Sequence, residues 1–253
     1  MSLTKLVLHF AAPPPRIESF QRFLFVGPHP DDIEIGAGAT AAKLASTGKD
    51  VCFLICTDGR YGTDHAPVGL SGDRLAAVRK REAAASAALL GVRDLRFLPF
   101  SDGGFYEPEA LQRGIAAVIA DFRPEVIFAP DPCVASECHT DHLNVGEAAR
   151  RLACFAPNPG IMAAMGLTPV NVQALAYYMT AKPNRYVNTT GYLARQLHSI
   201  YDCHKSQFPE RDAVATYLKL RAADFGLRSF CTCAEGFRIL GKTQMHCLPE
   251  AGR

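Results

Sequence analysis

Short apolar segments that alternate with helix-like stretches constrain the fold of this chain more than any other feature. The apolar segments are FLFVG, VCFLICT, LRFLPF and VIFAP, at residues 23–27, 51–57, 95–100 and 126–130. Continuous apolar runs of this length are typical of strands that are buried on both faces of a parallel sheet. Helical patterns lie between them, at 39–46, 74–92 and 108–122. The alternation predicts an α/β fold with a Rossmann-like, doubly wound, mostly parallel sheet and helices on both faces.

The second half of the chain is less regular, but no linker separates it from the first half. Its patterns predict two strands and two helices, at 172–180, 237–240, 189–206 and 210–225. Composition does not change along the chain, and no Gly/Ser-rich stretch interrupts it. We therefore predict one domain over residues 1–253, with a Pro-rich leader at 1–21 and a C-terminal α/β extension of the same domain at 170–253.

The charge balance argues against polyanionic partners. The 253 residues include 27 Lys and Arg against 25 Asp and Glu, which gives a net charge of +2. The chain therefore lacks the excess positive field that binds nucleic acid or anionic membranes. No stretch approaches the roughly 20 consecutive apolar residues that a membrane helix needs. We predict neither a nucleic-acid partner nor a membrane partner.

Cysteine usage and the N-terminal segment predict a cytoplasmic protein. The nine cysteines are an odd number without a CxxC pair, which is typical of reduced thiols. The short apolar run near the N-terminus ends in Pro13, Pro14 and Pro15 and does not resemble a secretory signal.

A cluster of ionisable residues stands directly after the first predicted strand. The segment PHPDDIE at 28–34 places His29 and three carboxylates at the edge of the sheet where ligands of doubly wound proteins bind. Adjacent carboxylates such as Asp31 and Asp32 repel one another unless protons or a cation hold them, so a divalent metal would stabilise the segment. The alternative is a polar turn that caps the following helix.

A second cluster, ECHTDH at 137–142, follows the fourth predicted strand. In a doubly wound sheet the ends of the first and fourth strands can lie side by side across the switch point. His29, Asp32 and His142 would then form a set of three protein ligands that leaves a position for water, as catalytic zinc sites do. Two such clusters at strand ends favour a metal centre over isolated structural histidines.

These motifs resemble a known family. GPHPDDIEIGAGAT together with HTDH is similar to the PHPDD…HxDH signature of the LmbE-like, or PIG-L-like, zinc N-deacetylases. TDGRYGT, FAPDP, HKSQFP and AEGFRIL extend the similarity over about residues 22–247, toward the branch that contains the diacetylchitobiose deacetylases. Thr140 stands where the family usually has Pro, and Ala39 where a second Gly is common. The resemblance implies a metal-dependent hydrolase that removes the N-acetyl group from a chitobiose-like disaccharide, GlcNAc or a GlcNAc conjugate, and a homo-oligomer.

The resemblance also implies roles for individual residues. Its ligands for one Zn²⁺ per subunit, or for another divalent metal, are His29, Asp32 and His142. Asp31 is the implied general base, since a carboxylate beside a metal-bound water can take its proton. Protonated His139 is the implied donor to the oxyanion, and Asp141 would orient one of the imidazoles.

Three further residues are candidates for binding the sugar. Arg79 matches an R-x-x-E helix of the family whose arginine reaches the site, and a solvated helix face is the alternative. Asp58 either accepts from sugar hydroxyls or caps a turn. His246 lines a sugar pocket, of its own or of a neighbouring subunit, unless it lies in a free tail. Because the chain has no Trp, the candidates for stacking on a sugar are Tyr61, Phe105, Tyr106 and Tyr178, each with packing as its alternative.

Other histidines carry no spacing signal. His65 beside Asp64 is expected in a solvated loop, and His198 and His204 are expected to be surface or satisfied core residues.

Two other functions share some of these features. A set of two histidines and one carboxylate also holds Fe(II) in oxygenases, although such enzymes do not generally need a base like Asp31. A nucleotide-binding module would use the helix that follows the first strand, but the carboxylates at 31, 32 and 34 would repel phosphate, and neither a GxGxxG motif nor a P-loop is present.

Overall fold

A computed structural model describes residues 10–210 and 213–246 of the chain. Its centre is a seven-stranded sheet of order β3-β2-β1-β4-β5-β7-β6. The strands are β1 (Arg22–Gly27), β2 (Asp50–Thr57), β3 (Asp94–Phe100), β4 (Val126–Pro130), β5 (Ala174–Tyr178), β6 (Arg185–Asn188) and β7 (Ala234–Gly241). The first five strands are parallel, and β7 pairs antiparallel with both β5 and β6. The predicted doubly wound, mostly parallel sheet is confirmed.

Helices cover both faces of this sheet. They are α1 (Asp32–Ser46), α2 (Gly72–Leu90), α3 (Pro108–Phe122), α4 (Thr140–Phe155), α5 (Pro159–Ala164), α6 (Leu193–His198), α7 (Ala213–Arg228) and α8 (Lys242–His246). None of the helices in the described ranges is both long enough and apolar enough to cross a membrane. Residues 1–9 of the predicted leader and residues 247–253 of the predicted extension lie outside the described residues.

Alternate residues of β1 fill two separate cores. Leu24 and Val26 face the core that α3 and α4 cover, whereas Phe23 and Phe25 face the core beneath α1 and α2. On the second face the rings of Phe25 and Phe128 stack with centroids 4.1 Å apart. All of these side chains are fully buried, and each contributes roughly 1.5–3 kcal/mol of transfer free energy. Because both faces are buried, β1 is a continuous apolar run, as its sequence indicates.

Helix α1 begins earlier than its sequence pattern predicts and is kinked. The helical pattern predicts a start near Ala39, whereas the structure starts the helix at Asp32 and bends it at Ala37 (φ −152°). After the kink, the amides of Ala39 and Thr40 donate to the Glu235 carboxylate, at 3.2 and 2.7 Å. The part that the sequence predicts is therefore the second half of α1, capped by a side chain from β7.

The second half of the chain differs from its prediction in several elements. Strand β6 has only four residues and two of them are polar, so its sequence carries little strand signal. The predicted helix at 189–206 is α6 followed by a π-helical turn over Ser199–Cys203. The short helix α5, which begins after the cap residue Asn158, was not predicted either.

Candidate active site

The strand order brings the two ionisable clusters together. Strand β1 lies between β2 and β4, so the segments that follow β1 and β4 leave the sheet side by side. His29 follows β1, Asp32 opens α1, and His142 lies in the first turn of α4. One donor atom from each of these three residues lies within 4.8 Å of the others. The structure therefore brings together all three residues that were predicted as metal ligands.

Asp32 is the centre of this group. Its Oδ2 lies 3.0 Å from His29 Nδ1 and accepts from the His29 amide at 2.8 Å. Its Oδ1 lies 3.4 Å from His142 Nε2. Two imidazoles and one carboxylate, all largely shielded from water, form a donor set that suits Zn²⁺ and also Fe(II).

The electrostatics of the group also fit a cation. Burial alone would lower the pKa of His29, but hydrogen bonds to Asp141 and Asp32 outweigh it and raise the pKa to about 10. The pKa of His142 is likewise raised to about 9, because the Asp32 charge outweighs burial. The pKa of Asp32 lies well below its usual value, since the neighbouring imidazoles outweigh its burial. The site thus binds positive charge, which protons supply in the metal-free protein and a divalent cation would supply on binding.

Each histidine of the group has a second carboxylate on its far side. His142 Nδ1 lies 3.0 Å from Glu137 Oε2, and His29 Nε2 lies 3.0 Å from Asp141 Oδ2. Such contacts fix the ring orientation and the tautomer of metal-binding histidines. The structure thus places Asp141 where it can orient His29, and it adds Glu137, which the sequence analysis did not single out.

Asp141 also ties the β3–α3 loop to the site. Its carboxylate accepts from the amides of Gly103 and Gly104, at 2.7 and 2.9 Å, and from the Tyr106 hydroxyl at 2.8 Å. Burial alone would raise the pKa of Asp141, but the hydrogen bonds that it accepts, above all from His29, hold that pKa well below its usual value. His29, His139 and Asp141 form a second group with donor atoms close together. The many contacts of Asp141 make that group less suited to a cation.

Asp31 lies beside the three candidate metal ligands without belonging to their group. Its carboxylate accepts from Arg79 Nη2 at 3.0 Å, and both side chains are buried. Burial raises the pKa of Asp31 to about 6, and the neighbouring Asp32 adds to this effect while the Arg79 charge opposes it. A carboxylate with a pKa near neutrality is suited to general base catalysis. The Asp31 backbone has φ 124°, a strained conformation for a residue with a Cβ.

Arg79 is held in place by backbone carbonyls. Its guanidinium donates to the carbonyls of Gly59 and Pro30, at 3.0 and 2.9 Å, as well as to Asp31. A Cβ on Gly62 would lie 2.6 Å from Arg79 Nη1, so only glycine leaves room for the guanidinium at that position. Arg79 is thus part of the site rather than of a solvated helix face.

His139 precedes α4 at the mouth of the site, and its side chain is 49% exposed. Its Nδ1 accepts from the Asp141 amide at 3.3 Å, which leaves Nε2 to carry the proton of a neutral ring. Burial and the neighbouring charges of His29 and His142 lower the pKa of His139. Both effects disfavour the protonated form of His139, which is the form that the family resemblance implies for the oxyanion donor.

Asp58 and His246, both candidates for binding the sugar, have different positions in the structure. The Asp58 carboxylate is engaged by Arg60, at 2.6 and 2.9 Å, and forms a turn after β2. His246 lies in α8, which follows β7. Because Gly241 at the end of β7 pairs with Ala174 at the start of β5, α8 lies at the opposite edge of the sheet from the site. Within one chain, His246 is therefore remote from the metal ligands.

A buried polar network behind Asp31 was also missed from the sequence. Glu34 Oε1 accepts from Ser86 Oγ at 2.5 Å and lies 3.2 Å from His204 Nε2. His204 is fully buried, and the Glu34 charge outweighs burial and raises its pKa. His204 is thus a core residue, but only its Nε2 has a partner, since no hydrogen bond to its buried Nδ1 is found among the described residues. Nothing in the local sequence shows a contact between residues 170 positions apart.

Two imidazoles and two carboxylates lie buried at the carboxyl edge of a doubly wound sheet, an arrangement compatible with the metal site of an enzyme. The sequence profile of the PIG-L family, described as GlcNAc-PI de-N-acetylase, matches residues 24–153. This chain is 35% identical over 236 residues to the diacetylchitobiose deacetylase of Thermococcus kodakarensis, covering 91% of this chain and 87% of that protein. The chain therefore belongs to the PIG-L family of de-N-acetylases.

Two further comparisons agree with this family. The crystal structure of N,N′-diacetylchitobiose deacetylase from Pyrococcus horikoshii, bound to an inhibitor, superimposes with a TM-score of 0.85 at 30% identity and covers 98% of this chain and 97% of that one. The chain is also 33% identical over 201 residues to the 1D-myo-inositol 2-acetamido-2-deoxy-alpha-D-glucopyranoside deacetylase of Kineococcus radiotolerans. That match covers 68% of this chain and 55% of the relative. The predicted family and fold are thus confirmed.

Proposed function

We propose that this chain is a zinc-dependent hydrolase that removes the N-acetyl group from an N-acetylglucosamine-containing sugar. The observation that carries the proposal is the position of Asp31, a buried carboxylate adjacent in sequence to the ligand Asp32 but directed to Arg79 rather than to the imidazoles. The names of the relatives support the substrate class, since they describe deacetylases of diacetylchitobiose and of a GlcNAc-inositol.

His29, Asp32 and His142 would hold the metal. When bound there, a divalent cation lowers the pKa of a water molecule to about 7 and polarises the acetamide carbonyl. The fit rests on the donor set and on the raised pKa values of the two imidazoles, which indicate a site that is stabilised by added positive charge.

Asp31 moves the proton in this mechanism. Its carboxylate takes a proton from the water that attacks the acetamide carbon, and it then returns that proton to the nitrogen of the departing amine. Both steps suit a group whose pKa is about 6, because the two protonation states are then close in free energy at neutral pH. Arg79 holds this carboxylate in position and keeps its pKa from rising further.

His139 is positioned to stabilise the oxyanion that forms on the attacked carbonyl. Because its Nδ1 accepts from the Asp141 amide, its Nε2 proton is free to point away from the helix, and its ring lies 4.7 Å from that of His29. A hydrogen bond aimed at developing negative charge is worth a few kcal/mol of transition-state stabilisation, about 2.7–4 kcal/mol in measured cases. The neutral ring can act this way without first being protonated.

We further propose that the enzyme acts in the cytoplasm as a homo-oligomer. The family resemblance supports the oligomer, and so does His246, because a residue at the far edge of its own sheet can line a sugar pocket only in a neighbouring subunit.

An amine-release assay on the zinc-loaded protein tests the function. GlcNAc, N,N′-diacetylchitobiose and a GlcNAc-inositol are offered in parallel, with Asp31→Asn as the matched inactive control. We expect stoichiometric release of amine and acetate from at least one sugar, without oxygen. Turnover that requires iron and O₂ would instead identify an oxygenase, and no release from any sugar would refute the deacetylase assignment.

A further inference from the structure

Tyr61 and Phe105 form an exposed aromatic pair on two loops beside the candidate site. Their side chains are 56% and 73% exposed, and their ring centroids lie 5.6 Å apart at an interplanar angle of 68°. The other two stacking candidates are otherwise engaged. Tyr178 is fully buried and donates to the Val26 carbonyl, and Tyr106 donates to Asp141. Of the four candidates, only Tyr61 and Phe105 present largely open rings to solvent.

Short hydrogen-bonded links join both rings to the site. The Tyr61 amide donates to the buried Asp102 carboxylate at 3.1 Å. Phe105 follows Gly104, whose amide donates to Asp141, and Asp141 in turn contacts the ligand His29 at 3.0 Å. Phe105 is therefore held at the rim of the site through Asp141, the carboxylate that contacts His29, and Tyr61 packs against Phe105.

The backbone of the β3–α3 loop holds the two rings in place. Gly103 and Gly104 have φ values of 82° and 76°, in the left-handed region that favours glycine. A Cβ on Gly103 would lie 2.9 Å from the Phe105 ring and 3.6 Å from the Tyr61 ring, so both rings pack over this bare stretch of backbone. The edge-to-face arrangement leaves ring surface available to a ligand.

The surroundings of the pair favour an uncharged ligand. The nearest cation along the chain is Arg60, and its guanidinium is paired with Asp58 and Asp73, at 2.6 and 3.0 Å. A phosphate or carboxylate bound at the rings would gain little from a cation that is already neutralised. The C–H face of a pyranose, in contrast, suits the negative face of an aromatic ring and carries no charge.

We propose that Tyr61 and Phe105 form a platform for the non-reacting part of the substrate, namely a second uncharged pyranose linked to the N-acetylglucosamine that loses its acetyl group. The inference rests on the proposed function and extends it, because it assigns a preference for a disaccharide over free GlcNAc to two residues. The reacting acetamide occupies the metal centre while the second ring stacks on the platform.

The test compares N,N′-diacetylchitobiose with GlcNAc as substrates of the zinc-loaded enzyme. Tyr61→Ala, Phe105→Ala and the double variant are measured beside the wild type. Tyr217→Ala is the matched control, because Tyr217 is 55% exposed and lies on α7, which packs against β6 and β7. Thermal unfolding verifies that each variant is folded.

We expect the ratio of kcat/KM for the disaccharide to kcat/KM for GlcNAc to fall about tenfold in the double variant, mainly through KM for the disaccharide. Tyr61→Phe and Tyr217→Ala should leave that ratio unchanged. An unchanged ratio in the folded double variant would overturn the platform even if the enzyme deacetylates both sugars.

A binding measurement separates this inference from the proposed function. In calorimetric titrations, the Asp31→Asn variant should bind N,N′-diacetylchitobiose about tenfold more tightly than the same variant in which Tyr61 and Phe105 are also replaced by Ala. If the wild type hydrolyses neither sugar, the proposed function fails, while a loss of binding in the double variant would still support the platform. If the disaccharide does not bind, the platform is refuted as well.

Discussion

Glu137 lies 3.0 Å from His142 Nδ1, on the side of the ring opposite to Asp32, which lies 3.4 Å from Nε2. A carboxylate at this position favours a proton on Nδ1, which would leave Nε2 as the atom of His142 that holds a divalent cation. Glu137 Oε1 also accepts from the His139 amide, so one side chain fixes both histidines of the second cluster.

Replacing Glu137 with Ala should weaken metal binding. Loss of a carboxylate behind a metal-bound histidine typically costs 10–100-fold in metal affinity or activity. Competition with a chromogenic chelator measures the zinc dissociation constant directly. Glu147→Gln is the control, since Glu147 lies on α4, the helix that carries His142, and its carboxylate pairs with Arg150 and Arg151. An unchanged dissociation constant in Glu137→Ala would contradict the role assigned to this residue.

Asp31→Asn should separate chemistry from metal binding. The amide keeps the shape of the side chain but cannot accept the proton of the attacking water, so kcat should fall by about 10²–10⁴-fold. Zinc content, measured by elemental analysis after dialysis, should stay near one per chain. His29→Ala and Asp32→Ala should instead lose the metal. A rate close to that of the wild type in Asp31→Asn would show that another group is the base.

Gly62→Ala should disturb the site through Arg79. The added Cβ would lie 2.6 Å from Arg79 Nη1 and 2.8 Å from Gln207 Oε1, so the guanidinium that donates to Asp31 has to shift. We expect kcat/KM to fall by about tenfold while zinc affinity is unchanged. Gly160→Ala is the matched control, because its Cβ meets only Asn158 Oδ1 at 3.4 Å. Equal kinetics for the two variants would argue against a positioning role for Arg79.

Glu235 should make stability depend on pH. Burial raises its pKa to about 7, although hydrogen bonds from Thr40 and Ala39 oppose this. The folded protein therefore binds this proton more tightly than the unfolded chain does, whose carboxyl has a pKa near 4.5. Stability should fall as pH rises from about 4.5 to 7, by on the order of 3 kcal/mol, and then level off.

The Glu235→Gln variant isolates this contribution. Glutamine does not titrate, and its single side-chain oxygen can replace only one of the two carboxylate oxygens that accept from the amides of Ala39 and Thr40. Because the stability of the variant does not depend on titration at this position, the urea midpoint of the variant minus that of the wild type should increase from pH 5 to pH 8. A difference that is constant over this range would contradict the raised pKa of Glu235. Titrating groups elsewhere affect both proteins alike and cancel in the comparison.

The parallel sheet and the ligand group were predictable because their signals are local. Strands β1 and β4 are continuous apolar runs, and each is followed by polar residues that can only lie at the carboxyl edge. Because the ends of the first and fourth strands of a doubly wound sheet can lie side by side, this pattern already brings His29 near His142. Recognition of the PHPDD and HTDH motifs added the role of Asp31.

The remaining features depend on contacts between distant parts of the chain. Glu235 caps the second half of α1 from 196 residues away, and neither segment alone shows the kink. His204 looked like an ordinary helical histidine because its partner, Glu34, lies in another element. For Asp58 the sequence left sugar binding and turn capping open, and the structure shows the Arg60 side chain, two residues later, donating to its carboxylate.

The backbone of residue 31 and its side chain meet opposite requirements. At φ 124° a glycine would be relaxed, whereas a residue with a Cβ carries a strain of about 1–3 kcal/mol. The proposed chemistry, in turn, requires a carboxylate at this same place. Selection for a more durable fold and selection for turnover therefore act against each other at this position, and thermal robustness in this chain has to come from residues other than Asp31.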